Sequence, residues 1–228
     1  MSRSKPEIGV LASGSGSTFE AVYHAIEKKK LPYKIGFVAC NNGPEKAGVW
    51  ERAQRLGVPI FHVSNKTQKF ENYPEVNGQP VSGTISYEAS QALLDLADNK
   101  GVHMLVGLGY MKRIIGKVLE GIPISNSHPG PLPATAGEHG EGVQRRALQL
   151  GLEKSGPSFH WMDKRVDENG MPQYDSGPII GHMPVDITRA HRDEFADTNG
   201  VDLLMNEVMD IEKECVPIWI VRALDQIG

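Results

Sequence analysis

Asn126-Ser127-His128-Pro129 is the segment of this sequence best equipped for chemistry. An asparagine amide can donate N–H to an oxygen that is gaining charge. A histidine titrates near pH ~6.5, so at neutral pH it can give or take a proton. The run of residues 122–127 reads as a strand, and at its extended end an i, i+2 spacing turns Asn126 and His128 to one face. Pro129 and Pro131 stiffen the chain that follows. The plainer reading, a histidine capping a strand end, stands beside the catalytic one with equal weight.

A second candidate is the turn Gly14-Ser15-Gly16-Ser17-Thr18, between an apolar run and an amphipathic one. Glycines let backbone N–H groups approach an anion, and a helix N-terminus adds partial positive charge. Position 19 is Phe, so the turn lacks the third glycine of a dinucleotide site, and no Walker lysine follows. A lone phosphate or phosphomonoester fits better, and Ser17 and Thr18 can add hydroxyl donors. The alternative is a tight turn with a serine N-cap.

Three further polar residues are ambiguous in isolation. His160 lies on an alternating strand and reads by itself as a buried, hydrogen-bonded histidine. Asp175 opens a turn and reads by default as an Asx-turn. A carboxylate brought beside His128 would raise the histidine's pKa and orient its ring. Glu138 and His139 carry no metal-binding spacing, and no metal is assigned.

The elements that must position these groups alternate. Apolar strands are expected over 8–12, 33–40, 59–63, 102–108 and 122–127, and helices over 19–30, 46–56 and 86–99. That order predicts an α/β, Rossmann-like fold: a mostly parallel sheet with helices on both faces. The second half differs, with a helix over 142–150, strands over 155–162 and 179–185, and a closing helix or helix pair over 201–224 interrupted at Pro217. Residues 65–83 form the longest irregular stretch. A single domain is expected, with a phosphate-binding half over 7–127 and a closing half over 128–228.

The 228 residues carry a formal net charge of -4 and no basic run, which disfavours nucleic acid and anionic membrane as partners. Cys40 and Cys215 are far apart and form no Cys-x-x-Cys pair, so neither zinc nor a redox motif is indicated. Two free thiols, no signal-like N-terminus and no apolar run of bilayer length predict a cytoplasmic protein, monomeric or homodimeric.

Taken in order, the strand with Ser13-Gly14-Ser15-Gly16-Ser17, Gly109-Tyr110-Met111, Asn126-Ser127-His128-Pro129, the strand with Ser158 and His160, and Asp175-Ser176-Gly177-Pro178-Ile179-Ile180 resemble the phosphoribosylglycinamide formyltransferases. The resemblance runs over about residues 7–220. It implies the formyltransferase fold and transfer of a formyl group from 10-formyltetrahydrofolate to the amine of glycinamide ribonucleotide, a step of purine biosynthesis. It makes Asn126, His128 and Asp175 the catalytic trio, with protonated His128 and Asn126 on the formyl oxygen and Asp175 holding His128 charged. It assigns the acceptor to Gly16, Ser17, Thr18 and Glu212. It assigns the folate to Met111, Lys112, Arg113, Ile114, Ile124, His160 and Met162.

The sequence departs from that pattern at four places. Gly130 stands where serine usually follows His-Pro, and 134–140 is only loosely similar. Ser86 stands for an arginine near the start of the third helix. Residues 163–174 are longer than usual, which makes Asp167 a rival to Asp175; the following Ser-Gly-Pro-Ile-Ile favours Asp175. Other readings are a formyltetrahydrofolate hydrolase, a formyltransferase acting on transfer RNA or on an amino sugar nucleotide, and a phosphate-binding module without catalysis. The hydrolase usually carries a further N-terminal domain, and the tRNA enzyme a C-terminal one with a basic surface.

Overall fold

The structure, a computed structural model, describes residues 4–64, 75–76, 79–80, 83–165, 173–193 and 199–228. Five strands run parallel: β1 (Glu7–Ala12), β2 (Lys34–Cys40), β3 (Ile60–His62), β6 (Met104–Leu108) and β7 (Ile124–His128). β9 (Ser158–Trp161) joins β7 antiparallel, and β10 (Ile179–His182) joins β9 antiparallel. The order across this seven-stranded sheet is β10-β9-β7-β6-β1-β2-β3. Two short ribbons lie outside it: β4 (Glu75–Val76) with β5 (Gln79–Pro80), and β8 (Lys154–Ser155) with β11 (Val185–Asp186).

Residue parity explains the layers. Ile8, Val10 and Ala12 of β1 join one apolar cluster with Phe19, Val22 and Ile26 of α1 (Ser17–Lys29) and Val216 and Ile220 of α7 (Asn199–Ile227). Leu11 points the other way, into a cluster with Ala89, Leu93 and Ala97 of α3 (Tyr87–Lys100) and Val118 of α4 (Val118–Gly121). The inner strands are therefore covered on both faces, which is why they read as continuous apolar runs. A third cluster holds Ala147 and Leu148 of α5 (Glu141–Gln149) against Leu204 and Val208 of α7, with Ile187 just before α6 (Arg189–Asp193).

Strand order reverses between β1 and β6: the chain proceeds outward to β2 and β3, then returns to β6 and β7. A crevice opens at such a reversal, outside the carboxyl ends of the strands. The glycine turn after β1, Asn41-Asn42 after β2, the segment after β6 and Pro129 after β7 all reach this edge.

Several expected boundaries shift. A turn at 44–46 delays α2, which spans Val49–Arg55. Gly156 (φ 120°) and Pro157 separate β8 from β9, so the strand expected over 155–162 is two pieces in different sheets. The closing segment is one 29-residue helix running through Pro217. Proline there removes one N–H donor and crowds the preceding turn. Burial of Val216, Trp219 and Ile220 against the sheet outweighs that local cost, and Tyr33 donates its hydroxyl hydrogen to the Pro217 carbonyl at 3.1 Å. Of the irregular stretch over 65–83, only the β4–β5 ribbon and Gly83 fall among the described residues. No helix among the described residues is long and apolar enough to cross a membrane.

Candidate active site

β7 is fully buried, and its alternation divides the Asn126-Ser127-His128 segment between two faces. Ile124 packs in the α3-side core, so Asn126 and His128, two and four residues on, share that face beyond the core's edge. Ser127 turns to the opposite face and hydrogen-bonds Glu212 of α7 through a short contact. Gly107 of β6 lies beside Asn126 in register, and a Cβ there would collide with Asn126 Oδ1.

On the other side of β7, His160 is the cross-strand partner of Asn126. Asn126 Nδ2 lies 3.4 Å from His160 Nε2 and donates to Asp175 Oδ1 at 3.4 Å. His160 Nδ1 is 2.9 Å from the Trp161 carbonyl, an acceptor that places a hydrogen on that nitrogen. Asp175 sits between the two histidines, Oδ1 at 3.3 Å from His160 Nε2 and Oδ2 at 3.5 Å from His128 Nδ1. Oδ2 also accepts the Gly137 N–H at 3.0 Å. The Asp175 backbone has φ 48°, a left-handed conformation that aspartate tolerates better than most residues. The sequence default for Asp175, a simple turn, thus gives way to a four-residue polar cluster.

The protonation states follow from these surroundings. Burial pushes the Asp175 carboxyl up, but the His160 hydrogen bond, the His128 charge and the Gly137 N–H together hold it below the usual carboxylate range. Burial pushes the His128 ring down; Asp175 opposes this, His160 adds to it, and the net result lies below the ordinary value. His128 is therefore neutral at pH 7 in the ligand-free protein. This corrects the expectation that Asp175 holds it charged: desolvation of a nearly inaccessible ring outweighs one carboxylate at 3.5 Å.

The cluster opens into a cleft of about 840 Å³. At one end lies the glycine turn. Gly16 caps α1 in the left-handed region (φ 76°), and its missing Cβ leaves room for Val49. The α1 cap is thus glycine backbone rather than a serine side chain. Gly14 and Ser15 are exposed to the cleft, and Ser17 is half-buried. Thr18 is buried and donates its hydroxyl to Glu212 Oε2 at 3.2 Å, so that hydroxyl is already engaged. Glu212 is 6% exposed, and burial pushes its carboxyl up despite bonds from Ser127 and Thr18.

A raised carboxyl pKa means the folded state binds a proton more readily than the unfolded chain, so this group's contribution to stability is lost as pH rises above the ordinary carboxylate range. Glu212→Gln should accordingly raise the melting temperature at pH ~7 and leave it nearly unchanged near pH ~3, where the glutamate is protonated in both states. Thermal melts at the two pH values check this.

Met111, Lys112, Arg113, Ile114, His160 and Met162 also line the cleft. The Met111 N–H is held by Ser13 Oγ at 2.8 Å, tying this segment to the end of β1. The Arg113 guanidinium lies 3.6 Å from the Tyr174 ring centroid, and its Nε and Nη1 are buried without a hydrogen-bond partner among the described residues. Ile124 differs from its expected role. It is 2% exposed in the core and is not among the cleft-lining residues. The reason is depth along β7: Ile124 shares the face of Asn126 but lies two residues before the open edge, where the core covers the sheet. Ser86 is the fully buried N-cap of α3, accepting from the Ala89 N–H at 3.1 Å, and is likewise absent from the lining. Asp167 lies outside the described residues.

Sequence reasoning passed over Ser127, Thr135, Gly137 and Tyr174. The alternation of β7 could have assigned Ser127 to the face opposite Asn126. The Ser127–Glu212 pairing spans 85 residues, and nothing local announces it. No group of three or more His, Cys, Asp or Glu among the described residues could hold a metal ion.

Residues 7–199 match the formyl transferase family. A phosphoribosylglycinamide formyltransferase of Bacillus subtilis (strain 168) is 28% identical over 183 residues, covering 79% of this chain and 80% of that protein. A chloroplastic protein of the same name from Arabidopsis thaliana is 25% identical over 187 residues, and the match covers 80% of this chain but 56% of that longer protein. Among solved structures, glycinamide ribonucleotide transformylase 1 from Symbiobacterium toebii superposes with a TM-score of 0.73 at 27% identity, covering 96% of this chain and 87% of that one.

Proposed function

This chain belongs to the formyl transferase family, and we propose that it transfers the formyl group of 10-formyltetrahydrofolate to the amine of glycinamide ribonucleotide in purine biosynthesis. The observation that carries this reading is the convergence of Asn126, His128, His160 and Asp175 in one cleft that the glycine turn and residues 111–114 also line.

In this reading the acceptor phosphate lies on the N–H groups of the glycine turn, at the N-terminus of α1, and takes the place of Ser15 Oγ, which accepts from the Ser17 N–H at 3.4 Å. Gly16 and Ser17 serve through their backbone, and Thr18 through backbone alone because its hydroxyl is bound to Glu212. Glu212 faces the acceptor's hydroxyls. The folate lies along Met111, Lys112, Arg113, Ile114 and Met162. The Arg113 guanidinium, whose Nε and Nη1 have no hydrogen-bond partner among the described residues, suits the carboxylate of the donor's glutamate tail.

The chemical step then follows from the cluster. The neutral acceptor amine attacks the formyl carbon, and the carbonyl oxygen takes the charge of a tetrahedral intermediate. Asn126 Nδ2 and His128 Nδ1–H donate to that oxygen; a neutral imidazole still donates one hydrogen bond, weaker than that of a charged ring. His128 Nδ1 is available because its contact with Asp175 is long, at 3.5 Å. Asp175, an anion at working pH, accepts the proton shed by the attacking amine through a water and returns it to the departing folate nitrogen. The carbon–nitrogen bond to folate breaks as that nitrogen leaves as an amine.

The acceptor is tested by initial rates at fixed donor. Glycinamide ribonucleotide should exceed an amino sugar nucleotide in kcat/KM by roughly a hundredfold or more, as expected where one of the two acceptors leaves buried polar groups of the site unpaired. The reverse preference would replace this acceptor assignment while leaving formyl transfer intact.

A further inference from the structure

His128 Nε2, the nitrogen turned away from Asp175, lies 2.9 Å from Thr135 Oγ1. Thr135 is fully buried, and its hydroxyl is also 3.3 Å from the Pro131 carbonyl. A hydroxyl has one hydrogen and two lone pairs, so it can satisfy a ring nitrogen in either protonation state. When His128 is neutral, with its hydrogen on Nδ1 toward Asp175, Thr135 donates to the bare Nε2. When His128 is protonated, the hydroxyl hydrogen turns to the Pro131 carbonyl and the oxygen accepts from Nε2–H. A valine-like side chain at this position would leave Nε2 buried and unpaired in both states.

The contact depends on an unusual neighbour. A Cβ added at Gly130 would overlap Thr135 Oγ1 and the Val143 side chain, and would stand 3.1 Å from His128 Nε2. Only a residue without a Cβ leaves that space for the threonine hydroxyl. Gly130, where the resemblance expects serine, thereby acquires a structural reason. The same loop binds both His128 and Asp175: Thr135 meets His128, and the Gly137 N–H meets Asp175. Ser158 fastens the loop's start, donating to the Gly130 carbonyl at 2.7 Å.

We propose that Thr135 is a positioning residue for the formyl-transfer reaction, whose hydroxyl, admitted by the missing side chain at Gly130, fixes the His128 ring so that Nδ1–H faces Asp175 and the cleft. The catalytic consequence rests on the formyl-transfer reading; the hydrogen bond itself does not. The groups that bear on His128 charge are Asp175 and Glu138, which favour it, and His160, which opposes it. None of them replaces the partner at Nε2.

Thr135→Val keeps the branched shape and removes the hydroxyl; Thr135→Ser keeps the hydroxyl and removes a methyl. Nitrogen NMR of the histidine rings in the ligand-free protein, followed through pH, reads His128 directly. The protonated ring loses a charge-assisted partner in Thr135→Val, so His128 should titrate at lower pH than in the parent protein, and Thr135→Ser should restore the parent value. In turnover, Thr135→Val should lower kcat about tenfold, the worth of one hydrogen bond, with KM for both substrates within about twofold. An unchanged His128 titration in Thr135→Val, or a serine variant as impaired as the valine one, would overturn the proposal. An inactive parent protein would instead overturn the formyl-transfer reading, because the ring titration is measured without substrate.

Discussion

Replacing Asn126 by alanine is expected to lower kcat by roughly a hundred- to thousandfold, about 3–4 kcal/mol of transition-state stabilisation, with little change in KM. Asn126 presents an amide NH₂ at the centre of the cluster, bonded only loosely: both of its contacts, to His160 and Asp175, are 3.4 Å long. A donor held at such distances is positioned without being used up, and shortens onto an oxygen that gains charge. Its effect therefore belongs to the intermediate and not to ground-state binding, which is why kcat should fall and KM should not. His128→Ala should give a loss of the same order, and the two losses should add less than fully because both groups serve one oxygen. Steady-state kinetics on both variants, with circular dichroism to show an intact fold, checks this. Near-normal turnover in both would remove the oxyanion site from Asn126 and His128.

The second large effect is expected from Asp175→Asn, a fall in kcat of roughly a hundredfold or more. Gly137 N–H and His128 Nδ1 face Asp175 Oδ2, and Asn126 Nδ2 donates to Oδ1, which His160 Nε2 also approaches at 3.3 Å. An asparagine must aim its own NH₂ at one of these sets, so donor meets donor in either orientation. The substitution also removes the acceptor for the amine's proton. Stability carries a separate signature. Asp175 has a depressed carboxyl pKa in the folded state, so its stabilising contribution is present above the ordinary carboxylate value near ~3.9 and is lost as pH falls through the folded value. The melting-temperature difference between parent and Asp175→Asn should be largest near neutral pH and vanish in acid. A difference independent of pH would mean that the carboxylate's charge plays no part.

The sequence made the sheet legible because its strands are buried on both faces. Apolar runs such as residues 104–108 have few other readings between turn-forming neighbours. It also fixed the side-by-side placement of the glycine turn and Asn126-His128, since parallel strands deliver their carboxyl ends to one edge. Long-range pairings were illegible from residue types alone: Asn126 with Asp175, separated by 49 residues, and Ser127 with Glu212 depend on how the antiparallel strands and the closing helix fold back.

Two expectations failed for reasons local to the structure. The charge on His128 was misjudged because proximity to a carboxylate was weighed without the cost of burying the ring. The resemblance places Ile124 on the folate, whereas its depth along β7 sends it into the core. Ser86 shows the converse. A residue that looked like a lost substrate contact is a helix cap, whose hydroxyl satisfies an otherwise unpaired N–H at the start of α3.

The central claim, formyl transfer to an amine at this cleft, is tested most directly by following an isotope label in the formyl carbon of 10-formyltetrahydrofolate with purified protein. With glycinamide ribonucleotide present, the label should appear on the acceptor amine as deformylated folate accumulates in equal amount, and without the acceptor the donor should persist. Release of the label to water as formate at the same rate with or without acceptor, or a donor left intact in both cases, would contradict the account.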